Sequence, residues 1–183
     1  MGQRHSALTE KLSEFIRRQK MFFVGTADRD GHVNISPKGM DTLRVIDSAR
    51  IVWLNLTGSG NETAAHLAAT GRITLMFCAF EGDPLILRVY GQGRAIHPYD
   101  TEWPQTATIF PALPGARQII DVHIELVQTS CGFGVPLFDF SAERELLRVW
   151  ADKKGADGIR QYWQDKNQIS LDGKPTAILK PTE

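Results

Sequence analysis

Thr57-Gly-Ser-Gly-Asn-Glu-Thr63 is the segment whose residue types and spacing can do most chemistry. Its two glycines let the backbone turn sharply and approach a ligand without side-chain obstruction. A helix predicted to begin at its end would aim free N–H groups and the positive end of its dipole at the same spot, and Ser59, Asn61 and Thr63 add short-reach polar groups. The set suits a phosphate, although an ordinary capped turn is the commoner use of such a segment. It lacks the third glycine and the second βαβ unit of the dinucleotide fingerprint, and it does not have P-loop spacing. In Ile35-Ser-Pro-Lys-Gly39 a hydroxyl (Ser36) and an ammonium (Lys38) flank a rigid proline turn. Lys38 can neutralise a phosphate, hold an electron-rich ring edge, or simply stand in water. Arg88, inside the apolar run Leu87-Arg-Val-Tyr-Gly91, is a third cation; it needs a partner if interior, or lies on the wet face of a half-buried strand.

Other chemistries do not assemble. No serine stands in a nucleophile elbow, and no serine, histidine and acid follow a known triad order. The histidines at positions 5, 32, 66, 97 and 123 have no metal-ligand spacing, so no metal site is expected. Cys78 and Cys131 form no CxxC pair, which fits a reduced, cytoplasmic protein, and apolar neighbours make Cys131 read as a buried structural thiol.

The elements that must position these groups come from a chain of 183 residues, 42% hydrophobic and 23% charged, able to bury a core as one domain over residues 1–183. Lys plus Arg and Asp plus Glu each total 21, so the net charge is zero. That balance argues against nucleic acid or an anionic membrane as partner, since both are held by excess positive charge. No stretch has the length of a membrane-spanning helix.

An apolar stripe of Leu8, Leu12, Phe15 and Ile16 predicts an N-terminal helix within residues 1–20, capped by Ser6. Strand-like runs follow at 21–27, 32–36, 42–46, 50–56, 72–77, 85–91 and 122–127, so the strands fall within 21–130. A short helix from Asn61 to Gly71 interrupts them, and another is expected around Trp103-Pro104. The tail, 141–167, reads as two helices, the first capped by Ser141 and broken at Gly155. Six or so short strands joined mostly by turns predict a mostly β fold with helical additions, an antiparallel barrel and not a doubly wound parallel sheet.

The ordered series Phe22-Phe-Val-Gly-Thr-Ala27, Asn34-Ile-Ser-Pro-Lys-Gly39, Val52-Trp-Leu-Asn55, Gly58-Ser-Gly-Asn-Glu-Thr63, Arg72-Ile-Thr-Leu-Met-Phe77 and Leu87-Arg-Val-Tyr-Gly-Gln-Gly-Arg-Ala95 resembles the pyridoxamine 5′-phosphate oxidase-like, FMN-binding split-barrel superfamily. The tail Tyr162-Trp-Gln-Asp-Lys-Asn167 with Ser170-Leu-Asp-Gly173 looks like one uncharacterised branch of it. The resemblance implies a six-stranded antiparallel split β-barrel and a homodimer with two FMN sites at the subunit interface. Carried over by position, Ser36 and Lys38 would contact the flavin ring edge or phosphate, Asn55 would line the pocket, and Ser59, Asn61 and Thr63 would surround the phosphate. Arg88 would be a phosphate or dimer contact. Authentic pyridoxamine phosphate oxidases end in an Arg-Leu-Ala-Pro-like segment that serves the substrate, whereas this chain has Ile178-Leu-Lys-Pro-Thr-Glu183, which sets the vitamin-B6 activity apart. The expected function is an FMN-dependent oxidoreductase working between a nicotinamide-type donor and a small organic substrate. The alternative is a non-catalytic carrier of flavin, F420 or haem on the same barrel, with His66 or His123 as the first haem ligands to consider.

Overall fold

The computed structural model describes residues 2–180; Pro181-Thr-Glu183 of the terminal segment lies outside them. Eight strands, β1 (Arg4–His5), β2 (Phe22–Thr26), β3 (Asn34–Lys38), β4 (Leu43–Asp47), β5 (Arg50–Leu56), β6 (Arg72–Cys78), β7 (Ile86–Ile96) and β8 (Ala116–Ser130), pair antiparallel in one sheet. Four helices accompany them: α1 (Glu10–Arg18), α2 (Glu62–Thr70), α3 (Trp103–Ala107) and α4 (Leu146–Lys166).

The sheet order is β3-β2-β6-β7-β8-β5-β4, with β1 added against β8. Its ends, β3 and β4, do not pair with each other among the described residues, so the sheet is a barrel left split along one seam. The interior is filled from alternate positions of the central strands. Val24, Trp53, Leu75, Leu87, Val89, Ile120 and Val122 are fully buried there, and the apolar stripe of α1 (Leu12, Phe15, Ile16) packs onto the same cluster. A second cluster on the opposite face joins Val52, Ile96 and Ile119 to Phe110 and to Trp103 of α3, so that helix braces the sheet.

Local signals explain most element ends. Gly71 adopts the left-handed conformation (φ 69°) and returns its N–H to Leu67 O, which stops α2 as expected. Four details differ from the sequence reading. The N-terminal helix is shorter, because Arg4 and His5 pair with Gln128 and Val127 and the Leu8 N–H donates to Ser48 O. Thr9, not Ser6, therefore caps α1, its hydroxyl accepting from Leu12 N at 3.3 Å. β7 and β8 run to 11 and 15 residues, past the glycines and polar residues that interrupt their apolar runs. Ser141 caps nothing: α4 starts at Leu146, and Gly155 (φ 65°, ψ 175°) kinks it where the break was expected. Cys131 is exposed and Cys78 buried. No helix among the described residues is long and apolar enough to cross a membrane.

The longest strand pair contains one irregularity, between Tyr90 and Gly91. A Cβ on Gly91 would collide with the His123 carbonyl oxygen, a backbone atom with little freedom to move. Gly91→Ala is expected to lower the unfolding free energy by about 2–4 kcal/mol; a urea midpoint equal to wild type would contradict this packing.

Candidate functional site

β3 alternates cleanly. Asn34, Ser36 and Lys38 are half-buried on one face, while Ile35 and Pro37 are exposed on the other. From this edge of the seam the Lys38 ammonium reaches across and donates to Asn55 Oδ1 on β5 at 3.2 Å. Asn55 is 1% exposed, and its amide donates in turn to Gln118 Oε1 on β8 at 3.1 Å.

β5 and β8 fall out of register at that point. Asn55 pairs with Gln118 and Leu56 with Ala116, which leaves Arg117 as the extra residue of a β-bulge. The bulge re-aims a long cation. Arg117 is buried, and its Nη1 donates to Gly60 O at 2.9 Å and to Asn167 Oδ1 at 3.0 Å.

The loop between β5 and α2 is held at several points. Thr57 N and Oγ1 both donate to Gly115 O, and Trp163 Nε1 of α4 donates to Thr57 Oγ1 at 2.9 Å. Asn61 occupies the N-cap position of α2, but its side chain makes no cap bond and donates instead to Asn167 O at 3.5 Å. On the other wall Ser36 donates to Asn34 Oδ1, and Asn34 donates to Thr63 Oγ1 at 3.3 Å, tying β3 to the first turn of α2.

These parts enclose a cavity of about 370 Å³, lined among others by Ser36, Lys38, Asn55, Ser59, Asn61, Thr63 and Arg117. Six of the seven residues singled out by sequence thus meet at one place. Arg88 does not: it lies on β7, outside the cavity, with Nη1 donating to Ser130 Oγ at 3.2 Å, so the phosphate contact expected for it has no basis within this protomer. His66 is buried against Thr26 (Nδ1···Oγ1 3.1 Å) and His123 is an exposed residue of β8, and neither lines this cavity. No cluster among the described residues has the makings of a metal site.

Two cations, Lys38 and Arg117, and one carboxylate, Glu62, line the cavity. Burial, reinforced by the charge of Arg117, lowers the Lys38 ammonium to about 8. Burial likewise lowers Arg117, to about 10, against the opposing charges of Tyr162 and Glu62. Among the described residues no carboxylate forms an ion pair with either cation; Glu62, the acid on the rim, accepts from the Leu171 N–H at 2.8 Å. Arg117 Nε and Asn61 Oδ1 are buried without a partner among the described residues. Two desolvated cations, the start of a nine-residue helix and a glycine loop are a set of groups suited to an anion, with polar groups beside them suited to hydroxyls.

Sequence reasoning missed Arg117, Asn34 and Asn167. Arg117 had a signal, a charged residue opening the apolar run Ala116-Arg-Gln-Ile-Ile, but the strand was expected only from Val122. A second and larger cavity, about 1160 Å³, adjoins the first at Pro37 and Lys38; its lining mixes aromatic residues (Phe15, Phe80, Phe138, Phe140) with charged ones such as Lys20 and Glu143.

Comparison with known proteins places this geometry. A family model described as pyridoxamine 5′-phosphate oxidase matches residues 8–131. A pyridoxamine 5′-phosphate oxidase family protein of Aspergillus flavus, ustO, is 38% identical over 189 aligned residues, covering 93% of this chain and 76% of that protein. Among solved structures, a putative pyridoxamine 5′-phosphate oxidase from Lactobacillus delbrueckii superposes with a TM-score of 0.53 at 20% identity, over 67% of this chain and 94% of that one. Group A Streptococcus HupZ gives a TM-score of 0.51 at 20% identity, over 65% and 91%. At those identities the structural likeness speaks for the fold alone.

The depressed Lys38 has a consequence for stability. Its folded pKa lies below its ordinary value of 10.5, so between about 8 and 10.5 the unfolded chain binds more protons and stability rises with pH. This contribution is complete above 10.5 and is lost as the pH falls through about 8. Across that window the urea stability of wild type relative to Lys38→Met is expected to improve by roughly 1–3 kcal/mol. A difference that does not change with pH would contradict it.

Proposed function

Because the chain belongs to the pyridoxamine 5′-phosphate oxidase family, we propose that it binds flavin mononucleotide through this cavity and works as a flavin-dependent oxidoreductase on a small organic substrate. The observation that carries the reading is the pair of buried cations, Lys38 and Arg117, facing one polar cavity with no carboxylate partner among the described residues. Such a pair fits the dianionic phosphate of the mononucleotide. Ser59, Asn61 and Thr63 would surround that phosphate, with Asn61 Oδ1 as an acceptor for a hydroxyl of the ribityl chain. Ser36 and Asn55 would line the way toward the ring.

Bound flavin supplies the electron-transfer chemistry, so the chain needs no acid–base constellation of its own. What its residues contribute is anchoring, orientation and the exclusion of water. The adjoining larger cavity gives a second reactant room beside Lys38, and a nicotinamide-type donor is the natural electron source. Haem finds less support, since no histidine lines either cavity. The two unpaired cysteines suit a reduced, cytoplasmic setting.

A second copy of the chain completes the reading. Ile35, 69% exposed, stands on the outer side of the edge strand whose inner side carries Ser36 and Lys38, and Val33, equally exposed, immediately precedes that strand. Phe133, Leu137 and Phe138 of the strap after β8 add further exposed apolar surface. A homodimer burying these groups would put each cavity beside the subunit interface.

Two experiments test this. In titrations of flavin-free protein, Lys38→Ala and Arg117→Ala should each weaken FMN binding about tenfold to a hundredfold and barely alter riboflavin binding; wild-type protein that gains no flavin absorbance sinks the proposal. Sedimentation should find twice the 20.4 kDa chain mass for wild type and a shift toward monomer for Ile35→Lys; a monomeric wild type excludes the dimer.

A further inference from the structure

We infer that Asn167 is a positioning residue that shapes the phosphate cradle while leaving its positive charge intact, an inference that rests on the flavin mononucleotide reading above. Asn167 lies outside the stretch matched by the family model, ends α4 by donating its N–H to Trp163 O, and is 0% exposed. It does not line the cavity, yet it bonds to four residues that do: Gly58, Ser59, Asn61 and Arg117. Its Oδ1 accepts from Arg117, its Nδ2 donates to Gly58 O at 3.1 Å and Ser59 O at 3.5 Å, and its own carbonyl accepts from Asn61 and Thr176.

Two effects follow from these bonds. In a planar trans peptide the N–H points opposite the C=O. Tying the Gly58 and Ser59 carbonyls toward Asn167 therefore turns the N–H groups of Ser59 and Gly60 the other way, toward the cavity that the loop lines, and neither N–H has an acceptor among the described residues. The second effect is electrostatic. A buried arginine is ordinarily matched by a carboxylate, which would cancel its charge. An amide oxygen orients the guanidinium with a dipole alone, so Arg117 keeps a full charge for an anionic ligand. An aspartate of almost the same shape would cancel that charge, and its second oxygen would meet the Gly58 and Ser59 carbonyls where Nδ2 now donates.

The test compares Asn167→Asp with wild type in titrations with FMN, inorganic phosphate and riboflavin, alongside urea denaturation of the flavin-free proteins. The variant is expected to bind FMN and phosphate at least tenfold more weakly and to bind riboflavin as wild type does. A purely structural asparagine would lower the urea midpoint but leave the FMN-to-riboflavin ratio alone, so the ratio is the deciding readout. FMN affinity within threefold of wild type, or an equal loss for riboflavin, overturns the inference while the cofactor reading stands. A wild type that takes up neither FMN nor phosphate overturns both. Should the aspartate variant not fold, Asn167→Ser removes the amide group without introducing a charge, and the same selective loss of FMN affinity is expected of it; unchanged affinity overturns the inference.

Discussion

Burying two like charges without a carboxylate to match them is the constraint around which this molecule is arranged. Lys38 and Arg117 come from opposite sides of the seam, one from the edge strand β3 and one from a bulge in β8. Neither position is favourable on its own account: desolvation lowers both pKa values, and each cation raises the local potential at the other. What makes the arrangement tolerable in the ligand-free chain is a lattice of neutral acceptors. Asn55 Oδ1 receives Lys38, while Gly60 O and Asn167 Oδ1 receive Arg117. Dipoles hold the charges in place, and the charges remain available.

Much of the chain outside the sheet serves that end. α4 runs back to the loop after β5, where Trp163 secures Thr57 and Asn167 secures Gly58. The segment beyond α4 is tied down in turn: Leu171 N–H donates to Glu62, Asp172 pairs with His32, and Lys174 approaches Asp28 and Asp30. His32 is raised above its ordinary pKa mainly by its hydrogen bond to Asp172. Each of these outer ion pairs has at least one exposed partner, which keeps it individually weak. Their importance is geometric, since they keep the tail over the β2–β3 hairpin and α2, the elements that frame the cavity.

How much of this could be read beforehand depended on the range of the interaction. The positions of Ser36, Lys38, Ser59, Asn61 and Thr63 were legible because their segments are punctuated by Gly and Pro, whose backbone preferences act within a few residues. The seam was harder, because which strands stay unpaired is decided by the closure of the whole sheet. Arg117 was hidden for a related reason. A bulge is a disagreement between two strands, β5 and β8, and neither carries it alone. Asn167 acts over more than a hundred residues of sequence through contacts with Gly58 and Ser59, and no local pattern records that distance. Arg88 lies outside the cavity of its own chain. A cation in an apolar run looked purposeful, whereas Ser130 on the neighbouring strand is enough to satisfy it.

Pro37 sits in the middle of β3, at the end of the sheet, opposite Phe23. Proline has no N–H to offer, so it is confined to strands with a free side, and there it interrupts the row of donors that a passing chain would need. The rim of this barrel is thereby guarded against runaway strand addition, the route to fibrous aggregates. Any neighbour that docks here must do so through side chains such as Ile35, which allows a finite, defined assembly in place of an endless ribbon.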